Sequence, residues 1–340
     1  MLQLSPINRL RIKRFKKNKR GVYSLYFFFF ITLISLFSEL IANDKPLMVN
    51  YANEWYFPFI KPVNESAFGE PFDSPANFND PLISEKIESN GFIVWPPIRF
   101  SFNTINYTSN KPFPSAPDST NWLGTDNQGR DVLSLLLYGF RISLLFGIAL
   151  TLISSLIGIV VGALQGYYGG WIDIFSQRFM EIWSGIPSLF LIILLASVVD
   201  PSFTWLLIIT VLFGWMGLVD LIRAEFLKVR QFDFVRAARA LGVSNIRIMR
   251  KHILPNAMVS ALTFLPFILT GSITTLTSLD FLGFGLPSSY PSLGNLLLQG
   301  KNSLDAPWLG ITSFLFLGSI LTSLVFVGEA IRDAFNVNLS

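Results

Sequence analysis

The residues of this 340-residue chain that best suggest chemistry lie in the run Gly124-Thr125-Asp126-Asn127-Gln128-Gly129-Arg130-Asp131. Glycines beside polar side chains are the makings of a phosphate cradle, but a P-loop also needs a preceding strand and a Gly-Lys-Ser/Thr ending to surround the anion. Both are missing. The run reads instead as a polar turn entering a helix, with Asp126 or Asn127 available as N-cap. The chain has no cysteine and one histidine, His252, which excludes disulfides, thiol nucleophiles and zinc-thiolate sites and leaves no His-dependent triad inside a membrane bundle. Glu39, Asp173, Glu181, Asp200, Asp220, Asp280, Asp305 and Glu329 stand at or near the ends of apolar stretches. Proton or sodium coupling calls for ionisable groups near mid-membrane, so this placement argues against an ion relay.

A second stretch carries a mechanical signal. Phe234, Ala237, Ala238 and Leu241 recur at helical spacing with Arg236 and Arg239 beside them, and Gly242 follows as a residue able to take positive φ at a helix C-terminus. Ser244 is placed to cap a short helix through Met249, and Pro255 begins the next apolar stretch. The result is helix, glycine turn, helix. On physical grounds it is either a docking knob, whose small alanines admit another surface, or an amphipathic loop resting on lipid headgroups.

These features sit between long apolar segments. Apolar residues make up 51% of the chain and charged ones 14%, with mean hydropathy +0.50, well below the roughly 25% charged of soluble chains. Uncharged stretches run over 21–38, 142–172, 182–199, 201–219, 253–279, 281–300 and 306–328. A span needs about 20 apolar residues, and six of these qualify. The exception, 281–300, holds Gly283, Gly285, Pro287, Pro291 and Gly294 and reads as a re-entrant or surface loop. Gly147, Gly158, Gly162, Gly166 and Gly169 on the second span are taken as helix-packing positions in preference to path-lining ones. Pro187 and Pro266 are expected to kink their helices. Trp171, Trp183, Trp205 and Trp308 fit interfacial anchoring.

The net charge of +4 is sorted along the chain. Residues 1–20 carry eight Lys or Arg and no acid, placing the N-terminus in the cytoplasm, and six spans return the C-terminus there. The connection between the fourth and fifth spans, rich in basic residues from Arg223 to Lys251, must then be cytoplasmic too, as its charge requires. The uncharged run of the first span exceeds the roughly 7 to 15 residues of a signal-peptide core, so it reads as a retained anchor. The basic N-terminus serves as topology determinant and anionic-lipid contact, with no nucleic-acid partner.

Between the first two spans, residues 43–138 hold eleven of the nineteen prolines. That spacing argues against long helices and for a small, irregular, turn-rich cap, packed by aromatics such as Trp55, Tyr56, Trp95 and Phe100. Sequons at Asn64 and Asn106 are too short a pattern to carry weight.

The spacing Arg236-Ala237-Ala238, three residues, Gly242, nine residues, His252, one residue, Leu254-Pro255 is similar to the Glu-Ala-Ala...Gly...Ile-x-Leu-Pro coupling motif of bacterial ABC-importer permeases. Arg236 stands in place of Glu and His252 in place of Ile. Leu123 to Asp126 with Gly129-Arg130-Asp131, and the loop Leu282 to Pro287, resemble the dipeptide/oligopeptide subclass. The cap sequences Gly91 to Arg99 and Asn103 to Tyr107 look like the Yej-type permeases of peptide and microcin C importers.

The resemblance implies an all-α integral membrane protein with six transmembrane helices, the type I importer permease fold, and a periplasmic cap. It divides the chain into a basic cytoplasmic N-terminus (1–20), a first transmembrane helix (21–42), the cap (43–138), a five-helix core (139–329) and a cytoplasmic tail (330–340). Coupling helices occupy 225–254 and a periplasmic loop 280–305. It further implies ATPase coupling through Arg236, Ala237, Ala238, Gly242, Leu254 and Pro255. Implied partners are a second, homologous permease, ATP-binding subunits that hold ATP and Mg2+, a periplasmic peptide-binding protein and the bilayer. No cofactor or metal is expected in this chain, and the residues that contact substrate are left unassigned. Inward peptide transport follows from the resemblance alone. An ion-coupled transporter or channel without an ATPase partner is the competing reading.

Overall fold

A computed structural model of the chain describes residues 6–107, 111–196, 198–199 and 201–335. Asp200 and residues 336–340 of the expected tail lie outside these.

The chain begins with α1 (Pro6–Lys17), basic throughout and without an acid in its first turn. Asn18 interrupts it and accepts a hydrogen bond from Gly21 N at 3.2 Å, which starts α2 (Lys19–Leu36). A single turn, α3 (Ser38–Ile41), follows. The cap contributes strands β1 (Met48–Tyr51) and β2 (Glu54–Tyr56), helix α4 (Pro81–Asn90) and strand β3 (Gly91–Val94). The 37-residue α5 (Val132–Tyr168) is long enough, at about 1.5 Å per residue, to exceed a bilayer core. Next come α6 (Gly170–Ser184) and α7 (Ser188–Ala196), bent by 63° at the break that contains Pro187. Then follow α8 (Phe203–Gly214) and α9 (Met216–Val229), the short α10 (Asp233–Ala240) and α11 (Asn245–Ile248), α12 (Leu254–Phe281), α13 (Leu293–Asn302) and α14 (Pro307–Phe335).

Among the described residues five helices or helix pairs are long and apolar enough to span, and the bent pair α6 and α7 makes a sixth. Several boundaries move from expectation. The third span begins at Gly170 rather than Ile182, because Asp173, Arg178 and Glu181 end an uncharged run without ending a helix. The region 281–300 is only partly loop, since its prolines stop at Pro291 and α13 starts behind Ser292, whose Oγ accepts from Asn295 N at 3.2 Å. α14 reaches Phe335, so 330–335 is helix and not tail. α12 continues through Pro266.

Contacts divide the chain into two compact units. The first comprises Met1–Phe29, Ser143–Pro287 and Gly318–Ser340. In it a ladder of small residues brings two helices together: a Cβ on Gly158, Gly162 or Gly166 would lie 2.6 Å from the carbonyl oxygens of Trp215, Val219 and Arg223 respectively. Both sets repeat every four residues, so α5 and the α8–α9 segment meet backbone to backbone. Arg223 then reaches Asp173 with two hydrogen bonds, from Nε and from a terminal nitrogen at 2.7 Å.

The second unit comprises Phe30–Ile142 and Ser288–Leu317. Its cap is not irregular. β1 pairs antiparallel with β2 and β3 in the order β2-β1-β3, Val49 standing opposite Tyr56 on one side and Ile93 on the other. α4 packs on this sheet over a core of Val49, Phe68, Phe78, Ile83 and Ile87. Its start is set by Asp80, which accepts from Leu82 N at 3.0 Å, with Pro81 in the first helical position. The cap also ends earlier than Tyr138, because α5 begins at Val132.

Candidate functional site

Gly242 holds the turn between α10 and α11 at φ 75°, a conformation that costs side-chain-bearing residues energy. The Gly242 N–H donates to Arg239 O at 3.0 Å and the Val243 N–H to Ala238 O at 3.1 Å, the paired bonds of a Schellman ending. Beyond the turn, Ser244 occupies the N-cap of α11 without a side-chain bond, and a widened turn, Met249–Ile253, joins α11 to α12, where Pro255 sits among the first residues.

Two faces of α10 differ. Val235 (0% exposed) and Ala238 (7%) point into a core shared with Tyr167, Phe226, Ile248 and Ile253, against which Leu254 also packs. Phe234 (45%) and Leu241 (83%) stand on the other side with exposed Ala237. Ala238, expected to meet a partner, has its methyl seated on the chain itself, and the outward apolar row is Phe234, Ala237, Leu241. Arg236 and Pro255 are exposed and His252 is half-buried.

Polar ties fix the element from below. Arg230 donates from one guanidinium nitrogen to Gly166 O (3.0 Å) and Tyr167 O (3.1 Å), closing the carbonyl end of α5. The Arg239 guanidinium lies 5.6 Å from the centre of the Tyr167 ring, and Tyr167 Oη donates to Asn245 Oδ1 at 2.7 Å. Ser260 Oγ on α12 donates to Glu225 on α9 at 3.2 Å.

In the same unit, Asp280 is buried and organises the Leu282–Pro287 loop, a role that its sequence position at a span end did not reveal. Its Oδ1 accepts from Leu286 N at 2.8 Å, and Gly285 lies so close to it that no Cβ fits. A cavity of 340 Å³ is lined by Ser154, Ser188, Thr210, Ser272 and Thr275 together with apolar neighbours. Hydroxyls, not charges, face it.

In the second unit the Gly124–Asp131 run is a rigid bracket and not an anion cradle. The Asp126 carboxylate accepts from Gln128 N and Arg130 N, both at 2.9 Å, and from the Arg130 side chain at 2.9 and 2.6 Å. It is spent on this pair and is not the helix cap, and neither is Asn127. Asp131 caps α5, accepting from Ser134 N at 2.8 Å. Burial pushes the Asp131 carboxyl above the ordinary carboxylate range, opposed by its bonds from Asn121 and Ser134. Gly129 sits at φ 80°, and a Cβ there would lie 2.5 Å from the Phe113 ring.

Among the described residues no cluster of His, Cys, Asp and Glu is suited to hold a metal.

Residues 154–339 match the family described as binding-protein-dependent transport system inner membrane component, and residues 6–62 match the N-terminal TM domain of oligopeptide transport permease C. The chain is 61% identical over 338 residues, 99% of each sequence, to the inner membrane ABC transporter permease protein YejE of Escherichia coli (strain K12). It is 48% identical to the peptidoglycan transport system permease protein YejE of Agrobacterium fabrum, over 98% of this chain and 93% of that one. With the oligopeptide transport system permease protein OppC of Haemophilus influenzae it shares 36% identity over 72% of this chain and 79% of the relative. The family match takes in the α10 knob, the Asp280 loop and every span from the middle of α5 onward. The chain belongs to the binding-protein-dependent transport system inner membrane component family and is a multi-pass ABC-importer permease.

Proposed function

We propose that this permease carries peptides inward across the inner membrane, driven by ATP that partner subunits hydrolyse. The observation that carries the coupling part is the outward row Phe234, Ala237, Leu241 on a helix whose other face is locked into the chain. Apolar side chains presented in a basic, water-facing element are unfavourable unless a partner covers them, and a cytoplasmic ATPase groove is that cover. In this reading Ala237 touches the ATPase. Ala238 and Leu254 position α10 from inside, Gly242 sets its angle, Pro255 starts the span that moves with it, and Arg236 meets the charged rim of the groove. A second permease completes the path, and a solute-binding protein delivers cargo on the opposite side.

The peptide cargo is drawn from the relatives, one named for oligopeptides and one for peptidoglycan. The hydroxyl-lined cavity suits such cargo, because Ser and Thr bond to peptide groups without selecting a side-chain charge. An ion-coupled mechanism is disfavoured by the pairing of Asp173 with Arg223 and of Glu39 with Arg141.

The test is purification of the tagged chain from its own cells in mild detergent. An ATPase and a second six-span chain should co-elute, and Leu241→Asp should lose the ATPase while the permease remains in the membrane. Uptake of labelled peptides, compared between cells with and without the chain, tests the cargo. Elution of the chain alone under several mild conditions would sink the coupling assignment.

A further inference from the structure

The first unit contains a second cavity, which none of Phe234, Ala237 and Leu241 lines. A cleft of 690 Å³ opens between α1, the start of α2, the start of α12 and the end of α14. Its lining is mostly apolar, with Met258, Leu262, Ile331 and Phe335 among it, and α1 contributes two cations, Arg11 and Lys16. The Arg11 guanidinium lies 4.3 Å from the centre of the Phe335 ring and gives one hydrogen bond, to Asn8 at 3.3 Å. Its Nε is buried without a hydrogen-bond partner. Among the described residues no carboxylate forms an ion pair with Arg11 or Lys16. The acids of α14, Glu329 and Asp333, are exposed and do not line the cleft.

We infer that this cleft holds one anionic phospholipid, an acyl chain lying in the trough and the phosphate meeting Arg11 and Lys16. The inference rests on the chain spanning a membrane and on neither cargo nor ATPase coupling. An apolar trough with cations contributed by one helix matches the chemistry of a lipid where headgroup joins tail, and basic pockets between spans favour anionic headgroups. Free phosphate would have no use for the trough. α1 itself, with exposed Ile7 and Leu10 among its basic residues, has the composition of a helix lying in the interface, which brings Arg11 to phosphate depth.

The test uses the whole transporter, purified in mild detergent, stripped of lipid and offered phosphatidylglycerol or phosphatidylcholine with identical acyl chains. Bound lipid is counted by native mass spectrometry. Retention of phosphatidylglycerol should exceed that of phosphatidylcholine by about tenfold, and Arg11→Gln with Lys16→Gln should remove that preference. Lys13→Gln with Lys17→Gln, which neutralises exposed residues of α1 that do not line the cleft, should leave it intact. Leu262→Trp fills the trough and should lower retention of both lipids at unchanged melting temperature. Equal retention of the two lipids overturns the inference, as does an equal loss in the Lys13/Lys17 variant, which would mean a diffuse basic surface. Displacement of the lipid by inorganic phosphate alone also overturns it. So does a photocrosslink from position 262 that captures the second permease in place of lipid.

Discussion

The backbone N–H of Val243 closes onto the carbonyl of Ala238 at 3.1 Å across Gly242, so the turn that aims α10 and the residue that anchors α10 are parts of one hydrogen-bonded ring. No neighbour stands within 4 Å of a Cβ added at Gly242. Substitution there is limited by backbone conformation and not by space. Gly242→Ala should cost about 1–2 kcal/mol locally and reduce peptide-stimulated ATPase activity. Gly242→Val, stiffer at χ1, should abolish coupling while span insertion is retained. Normal uptake by the valine variant would dissociate the turn from coupling.

The two faces of α10 should fail in different ways. Leu241→Asp and Phe234→Asp alter exposed positions, so the permease should accumulate normally and lose its ATPase on purification. Ala238→Glu places a carboxylate in the core with Val235 and Ile248. It should lower the amount of folded permease, because an unpaired buried charge is destabilising by several kcal/mol. Equal membrane levels of the Leu241→Asp and Ala238→Glu chains would contradict this division.

That division marks where reading from sequence stops. Period 3.6 identified α10 and Gly242 its end, because amphipathic spacing and positive φ are local properties. Which face the chain keeps was not legible: Phe234, Ala237 and Leu241 form one apolar row, Val235 and Ala238 another, and only the position of Phe226 and Ile253 decides. The six apolar spans were legible as composition, but their ends were not, since Arg223 enters a helix freely once Asp173 is there to meet it.

The cap was illegible for a different reason. Its strands are three or four residues long, too short for alternation to rise above the proline background. Yet Asp80-Pro81, an N-cap followed by proline at the first helical position, did announce α4. In the Gly124–Asp131 run neither Asp126 nor Asn127 caps α5: Arg130 claims Asp126, and Asp131, next to Val132, takes the position.

Gly162 offers a test of the ladder that joins α5 to α9. A Cβ there would lie 2.6 Å from Val219 O and 3.0 Å from Ile222 Cβ. Neither can withdraw without moving its helix, so Gly162→Val should cost about 1–3 kcal/mol or more through overpacking. Gly271, with nothing within 4 Å, is the control: Gly271→Ala should leave the melting temperature of the purified transporter unchanged or slightly raised.

The Asp126–Arg130 pair predicts non-additivity. Both side chains are nearly inaccessible, at 0% and 10% exposed, so removing Arg130 alone leaves a buried carboxylate without its counter-ion. Arg130→Gln should destabilise the chain by about 3–5 kcal/mol. Asp126→Asn combined with Arg130→Gln removes both charges and should cost less than the sum of the single changes. Denaturation of the four chains in a double-mutant cycle measures the coupling, and strict additivity would mean that the pair contributes nothing beyond its separate bonds.

Asp131 predicts the sign of a pH effect. Burial raises its carboxyl above the ordinary value, so the folded chain holds that proton more tightly than the unfolded one. Stability from this group is therefore greatest at low pH and declines as pH rises from about 3.8 through the raised folded value, after which it is flat. Asn keeps the cap, since it is as good an N-cap as Asp, but carries no proton to lose. Asp131→Asn should accordingly flatten the decline that sets in above the ordinary value of 3.8, relative to the parent chain. Asp131→Ala should also flatten it, lying below the Asn variant at every pH by about 1 kcal/mol, the worth of a cap. Thermal unfolding of the three chains across this range separates charge from cap, and an Asn variant that loses stability with pH as steeply as the parent would show that the buried carboxyl is not the group responsible.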